Sequence, residues 1–234
     1  MNDGIRLNKY LSDAGICSRR QADTLISNGE IIVDGNIADL GTRVFTDTKV
    51  IYKGKEVKVN SKTVIYAYNK PIGQVCTSKD ADKDSLFNYV EFPEKLIYVG
   101  RLDKDSSGLL LLTNDGDLAN QIQKARNNHE KEYFVRVNRD ITNEFIDGMR
   151  NGVPILDTVT KKCTVEKTGT RTFKIILTQG LNRQIRRMCE YFGFRVVNLK
   201  RVRVLNIKLA NLRIGEYRKL SVEEEKTLRE LVNK

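Results

Sequence analysis

Asp103 and Asp105 stand in Gly100-Arg101-Leu102-Asp103-Lys104-Asp105-Ser106-Ser107-Gly108, directly before the run Leu109–Leu112. A carboxylate held where a turn meets an apolar strand can act as a nucleophile or a general base, provided a cation keeps it ionised. An aspartate in a turn also commonly caps the backbone. Asn114-Asp115-Gly116-Asp117, just past the leucines, reads as a turn and helix cap of that kind, and Asp105 can be the same. A source of cations lies in Gly180-Leu181-Asn182-Arg183-Gln184-Ile185-Arg186-Arg187-Met188. If Asn182 caps a helix, Arg183 and Arg186 share a face at i,i+3 while Ile185 and Met188 turn inward. A guanidinium meets a carboxylate bidentately and holds it charged in a dry pocket, although an Arg-rich helix is equally a surface for RNA. The third piece is His129-Glu130-Lys131-Glu132-Tyr133, entering a strand through Phe134–Val137. A tyrosine there is either core or, beside a carboxylate and an arginine, a ring for a base to stack on and a phenol for proton transfer.

Composition narrows the chemistry. His129 is the one histidine in 234 residues, which excludes two-histidine nucleases, His-rich metal centres and most catalytic triads. Cys17, Cys76, Cys163 and Cys189 are scattered without a CxxC pair, suggesting neither zinc nor disulfides and fitting a reducing cytoplasm. No run approaches the roughly 18 apolar residues of a membrane span, and the N-terminus has no apolar segment of the secretory kind. Net charge is +11, yet residues 1–60 are nearly neutral. Residues 181–219 hold eleven basic residues against Glu190 and Glu216, a net +9 in 39 residues. Such a concentration is expected of a phosphate-binding patch, or of a solvated surface.

The elements that must position these residues fall into two groups. Leu7, Leu11 and Ala14 recur at helical spacing up to Gly15; Ser18-Arg19-Arg20-Gln21 is a capping-box pattern opening a second helix through Ala22, Leu25 and Ile26. Ile31–Val33 and Asn36–Ala38 flank Asp34-Gly35, a hairpin signal, and short strands follow near Lys49–Tyr52 and Glu56–Val59. The expected division is residues 1–60, a linker at 61–64 within Asn60-Ser61-Lys62 and its surroundings, and a domain over 65–234. In the latter, strands are expected at Val64–Tyr68, Leu96–Val99, Leu109–Leu112, Tyr133–Val137, Thr172–Leu177, Arg195–Val197 and Val202–Ile207. Helices are expected at Asp117–Lys124, Thr142–Met149, Asn182–Phe192 and Val222–Val232. Many strands and few helices give an α+β class on a mainly antiparallel mixed sheet.

Two short helices and a hairpin, with Arg6, Lys9, Arg19 and Arg20 on or near the helices, resemble the alpha-L RNA-binding motif. Beyond it, Tyr68-Asn69-Lys70-Pro71-Ile72-Gly73, GRLDKDSSGLLLLTNDGDL, HEKEYFV and GLNRQIRRM together resemble the bacterial rRNA pseudouridine synthases that carry an N-terminal alpha-L module. NHEKEYFVRV and GVPILDTVTKKC are most similar to the large-subunit branch that includes the F-type synthase. The resemblance implies a reaction that breaks the uracil–ribose bond, turns the base and rejoins it through carbon five, with no cofactor or metal. It implies that Asp103 is the essential aspartate, that Arg186 salt-bridges it, and that Tyr133 stacks on the base. It further implies that Leu177 packs the opposite side of the pocket and that Arg101, beside Leu102, fills the gap left by the flipped base. Leu102, Arg183 and Arg187 are then substrate contacts, and Arg6, Lys9, Arg19 and Arg20 contacts to RNA. Flipping is required because the sugar–base bond is inaccessible in a stacked helix.

The expected substrate is a uridine of large-subunit rRNA in a stem-loop, with tRNA as a further substrate, for a cytoplasmic monomer that touches no membrane. Two rivals remain open. A non-catalytic RNA-binding or ribosome-assembly factor accounts for the charge and the module but leaves Asp103, Tyr133 and Arg186 unexplained. A carboxylate hydrolase would use Asp103 and Asp105 as acid and base.

Overall fold

The computed structural model describes residues 3–59, 62–77, 82–124 and 128–233, which form two compact units, Met1–Thr63 and Val64–Lys234. Asn60 and Ser61 of the expected linker lie outside the described residues.

The first unit contains strand β1 (Ile5–Arg6), helices α1 (Leu7–Asp13) and α2 (Arg19–Ser27), and strands β2 (Ile31–Val33), β3 (Asn36–Ile37), β4 (Arg43–Val44), β5 (Val50–Tyr52) and β6 (Lys55–Glu56). Ser18 caps α2: its hydroxyl accepts from the Gln21 amide at 3.3 Å and the Gln21 side chain accepts from the Ser18 amide at 2.9 Å, the reciprocal box expected of those residues. Val33 pairs with Asn36, so the hairpin turn is the two residues Asp34 and Gly35. Both have positive φ, which matches the right-handed twist of the strands. The strands order as β3-β2-β5-β6, with β1 paired to β4, and Leu7, Leu11, Ala22, Ile26, Ile31 and Val50 form the core beneath.

The second unit is built on a large mixed sheet, beside a separate two-stranded sheet formed by Pro154–Ile155 and Thr158–Val159. Its strands are β7 (Ile65–Lys70), β8 (Ile97–Val99), β9 (Ser107–Thr113), β10 (Lys131–Val137), β11 (Pro154–Ile155), β12 (Thr158–Val159), β13 (Thr164–Gly169), β14 (Thr172–Leu177), β15 (Val196–Val204), β16 (Ile207–Lys208) and β17 (Tyr217–Lys219). Its helices are α3 (Gly116–Gln123), α4 (Asn143–Asn151), α5 (Gln184–Tyr191) and α6 (Val222–Val232). The order is β13-β14-β10-β15-β9-β7-β17, with β8 on β9 and β16 on β15; β15 and β9 run parallel and the other pairs antiparallel. Four consecutive leucines suit a strand covered on both faces. Leu109 and Leu111 pack with Leu118, Ile122, Leu228 and Val232 of α3 and α6, while Leu110 and Leu112 pack oppositely with Tyr66, Tyr68 and Leu86. Further along the sheet, Val135, Phe173 and Ile175 bury against Phe145 and Met149 of α4 and Ile185 and Met188 of α5.

Two expectations are corrected, and one strand was not expected at all. Arg195–Val197 and Val202–Ile207 are not two strands; one strand, Val196–Val204, runs through the intervening polar residues because β10 and β9 bond it on both sides. Strand β13 was hidden by its polar sequence, Thr-Val-Glu-Lys-Thr-Gly, which suits an exposed sheet edge. Helix α5 starts at Gln184, two residues later than Asn182, and its N-cap is Arg183 in the left-handed region at φ 49°.

At the parallel junction Gly108 pairs with Arg201 and has φ +104°. A Cβ there would collide with the Arg201 carbonyl oxygen and lie 2.8 Å from its amide nitrogen, all backbone that cannot swing aside. Gly108→Ala is therefore expected to lose at least about 3 kcal/mol of stability to combined strain and overlap, read as a fall in urea midpoint.

Candidate active site

The sheet register gathers one set of side chains. Directly opposed residues on paired strands share a face, and alternate residues along a strand return to it. Tyr133 lies opposite both Ile175 and Arg201, and Lys131 lies opposite Leu177. Lys131, Tyr133, Leu177 and Arg201 are thus neighbours on the face that α5 packs against, and all four line a pocket of about 650 Å³. The loop from Gly100 to Ser106, between β8 and β9, forms the facing wall and brings Arg101, Leu102 and Asp103 to it.

That loop is fastened from below by a lysine. Lys70 is fully buried at the end of β7, and its ammonium donates to the carbonyls of Pro71 (2.9 Å), Asp103 (3.2 Å) and Ser106 (2.9 Å). Burial pushes the Lys70 ammonium pKa down, while negative charge at Cys76, Asp103 and Asp105 works in the opposite direction. Two further bonds shape the turn: Ser106 amide to Asp103 carbonyl at 3.0 Å, and Gly73 amide to Lys104 carbonyl at 2.8 Å.

It is fastened from above by α5. The left-handed cap at Arg183 turns its side chain onto the loop, where it bonds both carboxylate oxygens of Asp105 at 3.2 and 3.0 Å and reaches within 3.9 Å of Asp103. Arg186, largely buried, donates to the Asp105 carbonyl at 2.8 Å, with the Asp105 carboxylate 3.3 Å away. This corrects the expected Asp103–Arg186 pair. Arg183 is the guanidinium nearest Asp103, because its left-handed cap conformation aims it at the loop while Arg186, inside the helix, reaches the main chain of Asp105 instead. Burial pushes the Asp105 carboxyl pKa up, but the Arg183 hydrogen bond and the charge of Arg186 outweigh it and hold it below the usual range. A carboxyl so held is a poor proton donor, so Asp105 does not fit the general-acid role in a hydrolase.

The remaining expected residues fall at different places. Asp103 has a side chain 37% exposed, open to the pocket mouth and less dry than its turn suggested. Leu102 is buried and Arg101 exposed at the rim. Arg187 does not join them: it folds back on the Asn182 carbonyl (3.1 Å) and side-chain oxygen (3.2 Å), outside the pocket lining. Asp115 is the helix cap it was read as, accepting from the Leu118 amide at 3.0 Å. His129 is structural, buried with Nδ1 3.0 Å from the Ile122 carbonyl. In the first unit Arg6, Arg19 and Arg20 are exposed, whereas Lys9 pairs with Asp13 at 2.6 Å.

The basic stretch 181–219 is not one phosphate-facing patch. Arg183 and Arg186 hold Asp105, Arg201 is buried, Arg203 pairs with Glu130 and Glu132, and Arg218 pairs with Glu224. Sequence reading missed Lys70, Lys131 and Arg201. The signal was present: Lys70 closes the buried strand Ile65-Tyr66-Ala67-Tyr68-Asn69 just before Pro71, and Lys131 keeps the two-residue spacing to Tyr133. Replacing Lys70 with Met strands three carbonyls that now share its ammonium. Lys70→Met is expected to cost about 3 kcal/mol and to raise hydrogen exchange in residues 100–106 before the rest of the sheet, measured by mass spectrometry.

Residues 64–191 match the family model described as RNA pseudouridylate synthase, and residues 5–46 match the S4 domain. The chain is 49% identical over 221 residues to the dual-specificity RNA pseudouridine synthase RluF of Salmonella typhi, covering 94% of this chain and 76% of that protein. It is 34% identical over 226 residues to an uncharacterized RNA pseudouridine synthase of Rickettsia typhi, covering 92% and 91%. Among solved structures, a pseudouridylate synthase crystal structure superposes with a TM-score of 0.71 at 25% identity, covering 96% of this chain and all of that one. An S4 domain followed by a synthase domain on a mixed α+β sheet is what the motifs implied. The chain belongs to the RNA pseudouridine synthase family.

Proposed function

We propose that this enzyme isomerises a specific uridine of large-subunit rRNA, in a stem-loop, and that tRNA is a second substrate. The reading casts it as a cytoplasmic monomer. Every residue that lines the pocket comes from one unit of one chain, so the site needs no partner to be complete. The dual specificity carried in the name of its 49%-identical relative supports more than one RNA target.

The observation that carries the reading is the convergence of Asp103, Tyr133 and Leu177 in one pocket from three distant segments, with the Arg183 guanidinium 3.9 Å from Asp103. In this reading the flipped uracil stacks on Tyr133, with Leu177 against its other side, while Arg101 at the rim occupies the space the base vacated in the helix. The Asp103 carboxylate meets the ribose. When the C1′–N1 bond breaks, its electron pair leaves with the base; the carboxylate either bonds C1′ or takes the 2′ proton. Either route needs an ionised aspartate, and the Arg183 guanidinium stands 3.9 Å from it. The base then turns and C5 bonds C1′, either as the C1′–O bond to Asp103 breaks and its electron pair returns to the carboxylate, or as C2′ takes its proton back from the Asp103 carboxyl; the C5 proton is released and N1 is protonated, so atoms and charge balance without a cofactor. Arg186 is here a positioning residue that fixes the backbone at Asp105. Arg187 acts, if on RNA, from outside the pocket. Arg6, Lys9, Arg19 and Arg20 of the S4 domain hold phosphates and RNA shape.

Asp103→Asn keeps size and hydrogen bonding but removes the charge. It is expected to lower pseudouridine formation by about 10³-fold or more while RNA binding stays intact. Carbodiimide-blocked primer extension on unmodified large-subunit rRNA reads the first and gel shift the second. Equal stops with wild type and variant would reject Asp103, and no stop with either would favour a binding factor.

A further inference from the structure

Among the described residues, Lys131 and Arg201 are cations without an acidic partner. Arg201 is 3% exposed, yet its guanidinium makes one hydrogen bond, Nε to the Leu109 carbonyl at 2.7 Å; Nη2 is buried and unpaired. Among the described residues Lys131 donates only to the His129 carbonyl, at a long 3.4 Å. Burial and the nearby Arg201 charge push the Lys131 ammonium down to about 8, so most of it stays charged at neutral pH in a place that disfavours charge. The two anions near this wall are otherwise engaged: Asp105 by Arg183 and Arg186, and Asp103 by the approach of Arg183. A buried donor left unmade costs free energy, and positive charge concentrated on one wall lowers the energy of whatever anion reaches it.

The depth of these groups decides what that anion is. Arg201 lies on the sheet itself, in register with Tyr133, and the apolar Leu177 stands opposite Lys131. A phosphodiester stays with the RNA backbone at the pocket mouth, whereas a flipped base enters to this level. Its ring becomes an anion when the C1′–N1 pair leaves with it, with charge spread over N1 and both carbonyl oxygens. Lysine and arginine offer donors and no acceptor, so they suit a carbonyl and reject the exocyclic amine that cytosine carries in place of the uracil 4-oxygen.

We propose that Lys131 and Arg201 form a donor-only subsite that holds a uracil carbonyl oxygen and takes up the negative charge of the departing base. The proposal rests on the pocket being the uridine pocket, and its test separates the two.

The test is single-turnover loss of the target nucleoside, by nuclease digestion and chromatography, on an RNA stem-loop that the wild-type enzyme modifies. The stem-loop is prepared with uridine or with 5-fluorouridine at the target. Fluorine makes the ring a more stable anion, so it substitutes for help from the protein. Lys131→Met, at a partly exposed position that tolerates an apolar side chain, is expected to react about 10²-fold slower on uridine at saturating enzyme. RNA affinity should stay within about 3-fold of wild type, the defect should shrink to about 10-fold on 5-fluorouridine, and Lys131→Arg should recover most of the rate. Arg201→Lys is expected to show the same selective rescue. An equal defect on both substrates, a wild-type rate, or a change confined to affinity would each overturn the proposal. Asp103→Asn serves as the control: activity retained by that variant would overturn the pocket reading itself, whatever Lys131 does.

Discussion

One buried ammonium underlies the geometry of the site. Lys70 holds three carbonyls, from Pro71, Asp103 and Ser106, at 2.9 to 3.2 Å. A loop that turns sharply enough to present Asp103 at a pocket wall points its carbonyls inward, where no water reaches them. Backbone amides cannot satisfy three converging acceptors, but one ammonium has three donors. Its own desolvation is offset by those dipoles and by the two aspartates that the loop carries. The carboxylate therefore owes its place to a residue more than thirty positions away on another strand.

The arginines divide between building and binding in a way that net charge does not reveal. Arg183, Arg186 and Arg203 meet Asp105, Glu130 and Glu132 and so neutralise part of the positive charge of residues 181–219 within the fold, while Arg201 gives its one bond to a strand carbonyl and keeps its charge. Guanidinium is suited to this, since its planar fork satisfies several acceptors while remaining charged. Charge counted along a chain measures potential at long range; which of those charges face RNA is settled by the pairing of strands.

The α+β class, both helices of the first unit and the capping box at Ser18 were legible because each rests on local rules of spacing and capping. The leucine run announced a strand buried on both faces. The partner of each arginine was not legible. Reading Arg183 and Arg186 at i,i+3 assumed a helix from Asn182, whereas a left-handed residue at Arg183 moved the helix start and reversed which side chain approaches Asp103. Helix periodicity predicts a face, and a cap conformation at the boundary decides where that face begins. Lys131 and Arg201 escaped notice for another reason: their nearness depends on cross-strand register, which links residues far apart in sequence.

The junction of Gly108 with Arg201 has a consequence for how the enzyme comes into being. The guanidinium bonded to Leu109 lies 92 residues downstream of it. During synthesis the leucine strand and the Asp103 loop emerge long before the strand that completes the pocket wall, and closing so long a chain segment is slow. A nascent or truncated chain thus carries the Asp103 loop without the rest of its cavity. The enzyme gains the ability to open RNA glycosidic bonds only when the last strands of the domain have been added, by which time the S4 domain has already been free to fold.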